Sequence, residues 1–238
     1  MASVNETPRC GSTPPVSPGV DRTGGGFDHT PEQYRQPGVQ DGDIRDAPAA
    51  TETGIGGPPA GGNAITFHND GDKPLHLRFT QNAGLESIPD LVVPPGESRT
   101  VHFPQGWSGN WRSLAGGGDA FTLGEVAFQG WQGMTFYDDS RIEGSNAGLT
   151  IVPAGGGRLT GTLDNLLEGA PEDVLAYNAA GIPYGIRKST VNDIQDPAVV
   201  GFLNERIPDG MGYTYPTDDL STAGTHDTHL VVRMDDFI

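Results

Sequence analysis

Four carboxylates within one stretch are the residues of this chain best placed to do chemistry. Glu125 stands on a short alternating segment, Asp138 and Asp139 close a second one thirteen residues on, and Glu143 follows five residues after Asp138 in a Glu-Gly turn. Carboxylates at strand ends, beside turns that fold the chain back, can converge on one cleft. Grouped in this way they perturb one another's pKa values, bind sugars or cations, or divide acid and base roles.

Short alternating segments must position these acids. Ile65 and Phe67 share one face of a first strand; Leu75, Leu77 and Phe79 face the core from the next, with His76 and Arg78 outward. Asn69-Asp70-Gly71-Asp72 between them reads as a hairpin connection. Val92-Val93 runs into the turn Pro94-Pro95-Gly96-Glu97, after which Val101 and Phe103 alternate again. Val126 and Phe128 form one face of the strand that carries Glu125 on the other, and Leu149, Ile151, Leu230, Val232 and Met234 complete the pattern. With 36 Gly and 20 Pro, the chain is turn-rich, and many short strands between such turns predict an all-β sandwich or barrel. Residues 154–211 change in texture. Gly155-Gly156-Gly157 is a hinge, and Asp196-Pro197 opens a helix through Val199, Val200, Phe202, Leu203 and Ile207 that Pro208 stops. A further short helix is expected over 164–168 or 171–177.

The run TFYDDSRIEGSNAGLTIVP, ending at Pro153, resembles the core motif of the thaumatin-like proteins. Asp138, Ser140 and Gly144 match the motif's first Asp, its Ser and its Gly; Glu143 stands where the family has a second Asp, and Glu125 where it has the Glu of an acidic cleft. GWSGNWRSL resembles the family's Gly-rich turn before a cleft arginine, which makes Arg112 that residue. GYTYPTDD and HLVVRM resemble its closing segments. The resemblance covers roughly residues 64–153 and 196–236. It implies a two-sheet antiparallel β-sandwich whose last strand returns to pair inside it, with a small loop-and-helix lobe over 154–211 facing an acidic cleft. The lobe's own cleft aspartate matches no motif; Asp193 and Asp196 are the candidates.

Some thaumatin-like proteins bind or cleave β-1,3-glucans, so the resemblance implies a polysaccharide or cell-surface glycan as partner. Glycosidic hydrolysis needs one protonated carboxyl and one ionised carboxylate. Glu125, flanked by Val126 and Phe128, is the expected acid, and Asp138 the ionised partner, held charged by Arg112. Arg112, Trp111, Tyr137, Asp139 and Glu143 are the expected substrate-binding residues. Trp107, Trp111, Trp131, Tyr213 and Tyr215 also flank the acids, and aromatic faces stack on pyranose rings. At least half of these rings should fill the core instead, with Trp111 the one expected to be exposed. The extra methylene of Glu143 shifts its carboxylate by roughly 1.5 Å, which favours binding over catalysis. An acidic glucan-binding protein is the leading expectation, with weak hydrolysis left open.

Composition narrows the partners. A formal charge of −17 repels nucleic acids and anionic membranes. No apolar run is long enough for membrane insertion, and no standard secretory signal opens the sequence, so an extracellular or assembly-associated setting rests on the resemblance. The one cysteine, Cys10, can form no internal bridge, unlike the disulfide-rich family, so residues 63–238 must hold together by packing. No cofactor or metal is expected. His226 and His229 point to opposite faces of a strand, Asp138, Asp139 and Glu143 lack a calcium-loop pattern, and Gly116-Gly117-Gly118 lacks a phosphate loop's Lys. Residues 1–62 hold 21 Gly or Pro, eight acids and four arginines, and read as a flexible linker or arm. The alternative function is a structural or effector component of an assembly, docked on a protein partner through that arm.

Overall fold

The computed structural model describes residues 62–218 and 220–238. Cys10 and all but the last residue of the expected arm lie outside the described residues. The sandwich strands in chain order are β1 (Asn63–Asn69), β2 (Leu75–Gln81), β3 (Leu91–Val93), β4 (Ser98–Phe103), β5 (Ser108–Ser113), β6 (Leu123–Ala127), β7 (Thr135–Ser140), β8 (Ala147–Pro153) and β9 (Thr160–Thr162). The lobe supplies β10 (Leu175–Tyr177), β11 (Pro183–Ile186), β12 (Thr190–Val191), β13 (Ile194–Gln195) and helix α1 (Pro197–Arg206). The chain then returns to the sandwich through β14 (Ala223–Thr225) and β15 (His229–Asp236).

Two sheets face each other. One has five strands in the order β4-β1-β15-β8-β9, the other six in the order β14-β7-β6-β5-β2-β3. The last strand does return inside its sheet, parallel to β1 and antiparallel to β8. The inward faces build the core from alternate residues, including Ile65, Phe67, Leu77, Phe79, Val126, Leu149, Ile151, Leu230 and Val232. Its aromatic centre is edge-on: Phe67 meets Trp111 at 5.4 Å and Phe79 at 5.6 Å between ring centroids. Among the described residues no helix is long and apolar enough to cross a membrane.

Three expectations are corrected. The Asn69–Asp72 turn is no hairpin, because β1 and β2 lie in different sheets and the turn carries the chain across the sandwich. Alternation says which face of a strand is buried; it does not say from which sheet that face looks inward. Asn69 fastens the crossover by donating to the carbonyls of Lys73 (2.7 Å) and Val93 (2.9 Å) and accepting from Gly71 N–H (2.9 Å). Residues 171–177 form a single 3-10 turn at Glu172–Val174 leading into β10, and 164–168 form turns. Trp107 and Trp111 are both fully buried in the core, while Trp131 is 37% exposed.

The helix is where the sequence places it. The Asp196 carboxylate accepts from Ala198 and Val199 N–H, Pro197 opens the first turn, and Val199, Phe202 and Leu203 are buried in a second apolar cluster with Leu166, Ile186 and Ile207.

Candidate functional site

The register of three central strands explains which acids meet. Asn110 pairs with Glu125 across β5 and β6, and Glu125 pairs with Asp138 across β6 and β7. These three residues therefore form one row on the outer face of the six-stranded sheet. The next row, Trp111, Gly124 and Asp139, points the other way, into the sandwich. Gly124 has no side chain because the Trp111 indole lies across it; a Cβ there would come within 2.1 Å of the ring.

Glu125 is half-buried and Asp138 is 0% exposed. No N–H or O–H of another described residue donates to either oxygen of Asp138. Its neighbour is the Glu125 carboxyl, and two carboxyl groups hydrogen-bond only by sharing a proton. Desolvation pushes Asp138 well above its ordinary range, and the charges of Glu125, Asp139 and Asp218 add to the rise. Glu125 is pushed up to about 7, first by desolvation and then by the charges of Asp139 and Glu143, while its hydrogen bond with Asp138 opposes the rise. Both carboxyls are therefore held above the ordinary carboxylate range, chiefly by desolvation, and the ionised state expected of Asp138 is disfavoured by its burial among like charges. Arg112 does not hold Asp138 charged; among the described residues it forms no ion pair, and its guanidinium stacks 4.6 Å from the centroid of Phe121.

Three expected binding residues are not on this face. Trp111 and Tyr137 belong to the core, since β5 and β7 alternate and both fall on the inward side. Tyr137 donates its hydroxyl to the Arg158 carbonyl at 2.5 Å, and burial pushes its pKa up. Asp139 is also inward and 0% exposed, accepting from Arg141 Nε at 2.9 Å. Burial pushes it up to about 6 against the pull of Arg141. Arg141 in turn donates to the Ser145 hydroxyl (2.5 Å) and to the carbonyls of Ala147 (2.8 Å) and Thr162 (3.3 Å), so one buried ion pair ties the end of β7 to β8 and β9. Glu143 lies at the rim, half-exposed, paired with Lys188 at 3.0 Å.

Asp218 and Tyr213 complete the site; the sequence places Tyr213 among the aromatics that flank the acids but does not single out Asp218. Asp218 bears on Asp138 electrostatically, whereas Asp196 caps α1 and Asp193 occupies the positive-φ turn between β12 and β13. The signal was the GYTYPTDD segment itself. Tyr213 N–H donates to the Asp139 carbonyl and Arg141 N–H to the Tyr213 carbonyl, both at 2.8 Å, which lays this loop along the end of β7. Burial and the nearby Asp138 charge push the Tyr213 phenol up. Asp218 also borders a hollow of about 160 Å³ lined by Asn204, Asp209, Thr214 and Tyr215.

No family model matches the chain. Among curated proteins it is similar to the antigenic protein SchS21 of Stachybotrys chartarum, with 38% identity over 81 residues, 33% of this chain and 56% of that protein. The chain thus spans about half the length of the curated relative it matches. Among solved structures it is similar to the protein elicitor MoHrip2 from Magnaporthe oryzae, at 12% identity and a TM-score of 0.41, over 74% of this chain and 99% of that one. It is also similar to the thaumatin-like xylanase inhibitor TLXI, at 12% identity and a TM-score of 0.36, over 72% of this chain and 97% of that one. Superpositions at these scores carry no functional argument. The two-sheet sandwich with its small lobe stands on strand order and register.

Proposed function

We propose that this protein recognises a neutral polysaccharide of the β-1,3-glucan class at the outer face of its six-stranded sheet, without hydrolysing it. The observation that carries the reading is the Glu125–Asp138 pair, joined across β6 and β7, half-open to solvent through Glu125 and closed at Asp138. Such a pair offers carboxyl oxygen to sugar hydroxyls at a half-buried position, with the charges of Glu143 and Asp218 near it. Hydrolysis is disfavoured by the same geometry. Glycosidases hold their two carboxyls about 5 Å or more apart, on either side of the scissile bond. Here they stand on one side, as direct cross-strand neighbours, and Asp138 has no exposed surface to meet a substrate.

Retention on insoluble β-1,3-glucan at low salt tests this reading. The wild-type protein should be retained, Glu125→Ala should weaken retention roughly tenfold, and no reducing ends should appear. A wild-type protein that stays in the supernatant sinks the reading. Release of reducing ends that disappears in Glu125→Gln would return the site to catalysis.

A further inference from the structure

The hollow of about 160 Å³ lies between the end of α1 and the loop over 208–218. We propose that it receives one basic side chain, lysine or arginine, of a protein partner, independently of any glucan at the outer face. Sites for drug-sized ligands run to about 300–1,000 Å³, whereas a cavity of about 150 Å³ holds benzene. The space therefore suits a single side chain. Its walls are fastened in place. Thr214 Oγ1 donates to Asn204 Oδ1 at 2.5 Å, which joins the loop to the helix. Arg158 reaches the same loop from the β8–β9 connection and donates to the carbonyls of Gly210, Leu220 (2.6 Å) and Thr222 (3.3 Å). The Asp218 carboxylate accepts from Leu220 N–H at 3.0 Å and from the Ser221 hydroxyl at 2.5 Å.

Charge selects the occupant. Asp209, which is exposed, and Asp218, which is partly so, both line the hollow, and neither forms an ion pair with another described residue. The guanidiniums that reach this region are engaged elsewhere: Arg158 on the three carbonyls, and Arg206 on the Phe202 ring at 5.0 Å and the Glu168 carbonyl. Helix α1 ends at the hollow, so its last carbonyls add partial negative charge. Ile207, Pro208, Tyr215 and Leu220 supply apolar lining beside the acids. A hydrated metal ion makes no use of apolar walls, and among the described residues no trio of metal-ligating side chains gathers. A neutral apolar group would leave the acids without a counter-charge. An ammonium or guanidinium on an aliphatic stem uses both kinds of wall, and the Tyr215 ring adds a favourable face for a cation. Leu220, 55% exposed, gives the partner's neighbouring apolar residue something to cover, which a free amine lacks. The formal charge of −17 draws basic partners toward the molecule.

Heteronuclear NMR titration of the isotope-labelled full chain tests the fit, with blocked pentapeptides that carry leucine on either side of a central lysine, arginine or norleucine. The two basic peptides should shift the amide signals of Gly210, Gly212, Thr214 and Leu220 saturably, and the norleucine peptide should bind roughly tenfold more weakly. Asp209→Lys, at an exposed position, offers the hollow a cation of the chain's own and should abolish the shifts. Asp209→Asn should weaken binding roughly threefold, with thermal melts reporting that both variants are folded. n-Butylamine has the stem and the cation without the flanking residues; it should bind more weakly than the lysine peptide, and Leu220→Ser should narrow that difference. Equal binding of the norleucine peptide, binding that survives Asp209→Lys, or no localised shift with either basic peptide overturns the inference. If n-butylamine binds as tightly as the lysine peptide, the ligand is a free amine and the protein partner falls. Calcium chloride that displaces the peptides by shifting the same amides at micromolar concentration would make the hollow a metal site and overturn the proposal. Glucan retention is measured separately, so either result can fail while the other stands.

Discussion

Asp138 and Asp139 are neighbours in sequence, both fully buried and both raised above the ordinary carboxylate range, yet the two faces of β7 put them to opposite uses. The inward acid meets a guanidinium whose remaining donors are spent on a hydroxyl and on carbonyls of the opposite sheet. The outward acid meets another carboxyl, and only a proton reconciles them. Burial is the same on both sides, so it is the partner that decides. One acid is a tie between sheets, and the other is a titratable group beneath the outer face of its own sheet.

The largest effect should come from breaking the tie. Arg141→Met leaves Asp139 buried without a counter-charge, at a cost of about 3–5 kcal/mol in urea unfolding. Adding Asp139→Leu should restore a good part of it, because removing both charges costs less than stranding one. If Arg141→Met alone is mild, the two faces do not differ as described.

Next comes the pH dependence of the outward pair. Glu125 is raised from 4.5 to about 7 in the folded state, so its contribution to stability is fully present below pH 4.5 and is lost as pH rises through about 7. The loss should be on the order of 2–3 kcal/mol, seen as a falling urea midpoint between those values. Asp139, raised from 3.8 to about 6, adds a slope of the same sign in a lower window. Glu125→Gln should flatten the upper part of the curve and leave the lower part unchanged. A single slope insensitive to that substitution would merge the two faces into one titrating cluster.

Smaller again is Gly124→Ala, which tests the dry side by steric means. A methyl group there collides with Trp111 and should cost about 1–3 kcal/mol by overpacking, without changing the pH profile. The least effect is expected at the rim. Lys188→Ala removes a half-exposed pairing with Glu143 and should change stability by less than about 1 kcal/mol.

Much of the fold was legible because alternation has a physical cause. Ile65, Phe67, Leu77 and Phe79 are buried as their period-2 spacing requires, and Asp196-Pro197 signalled a helix start through its cap chemistry. Glu125 and Asp138 were recognisable as companions. The same alternation, carried one residue further, separates Asp138 from Tyr137 and Asp139 and places Trp111 opposite Arg112. Treating the acids as one cluster hid that parity. The crossover at Asn69–Asp72 was not legible, because a turn between two half-buried strands has the same composition whether it joins neighbours or opposite sheets. Asp218 lies in a loop, where no period marks orientation, and its place follows from backbone bonds of Tyr213 that only the folded chain makes. Arg141 shows the other limit: sequence does not reveal that an arginine beside an acid is 0% exposed.

The position of β15 has a consequence for how the molecule is made. Ala64 finds its partner His229 across nearly the whole described chain, and β8 finds its own partner in the same strand. During synthesis, β1 and β8 each present an open hydrogen-bonding edge, separated by a slot that only residues 229–236 fill. Pairing at such separation, half of it parallel, is slow, and unpaired edges invite other chains. The nascent polypeptide therefore cannot close its five-stranded sheet until that segment has left the ribosome, and a chaperone would act most usefully in this interval.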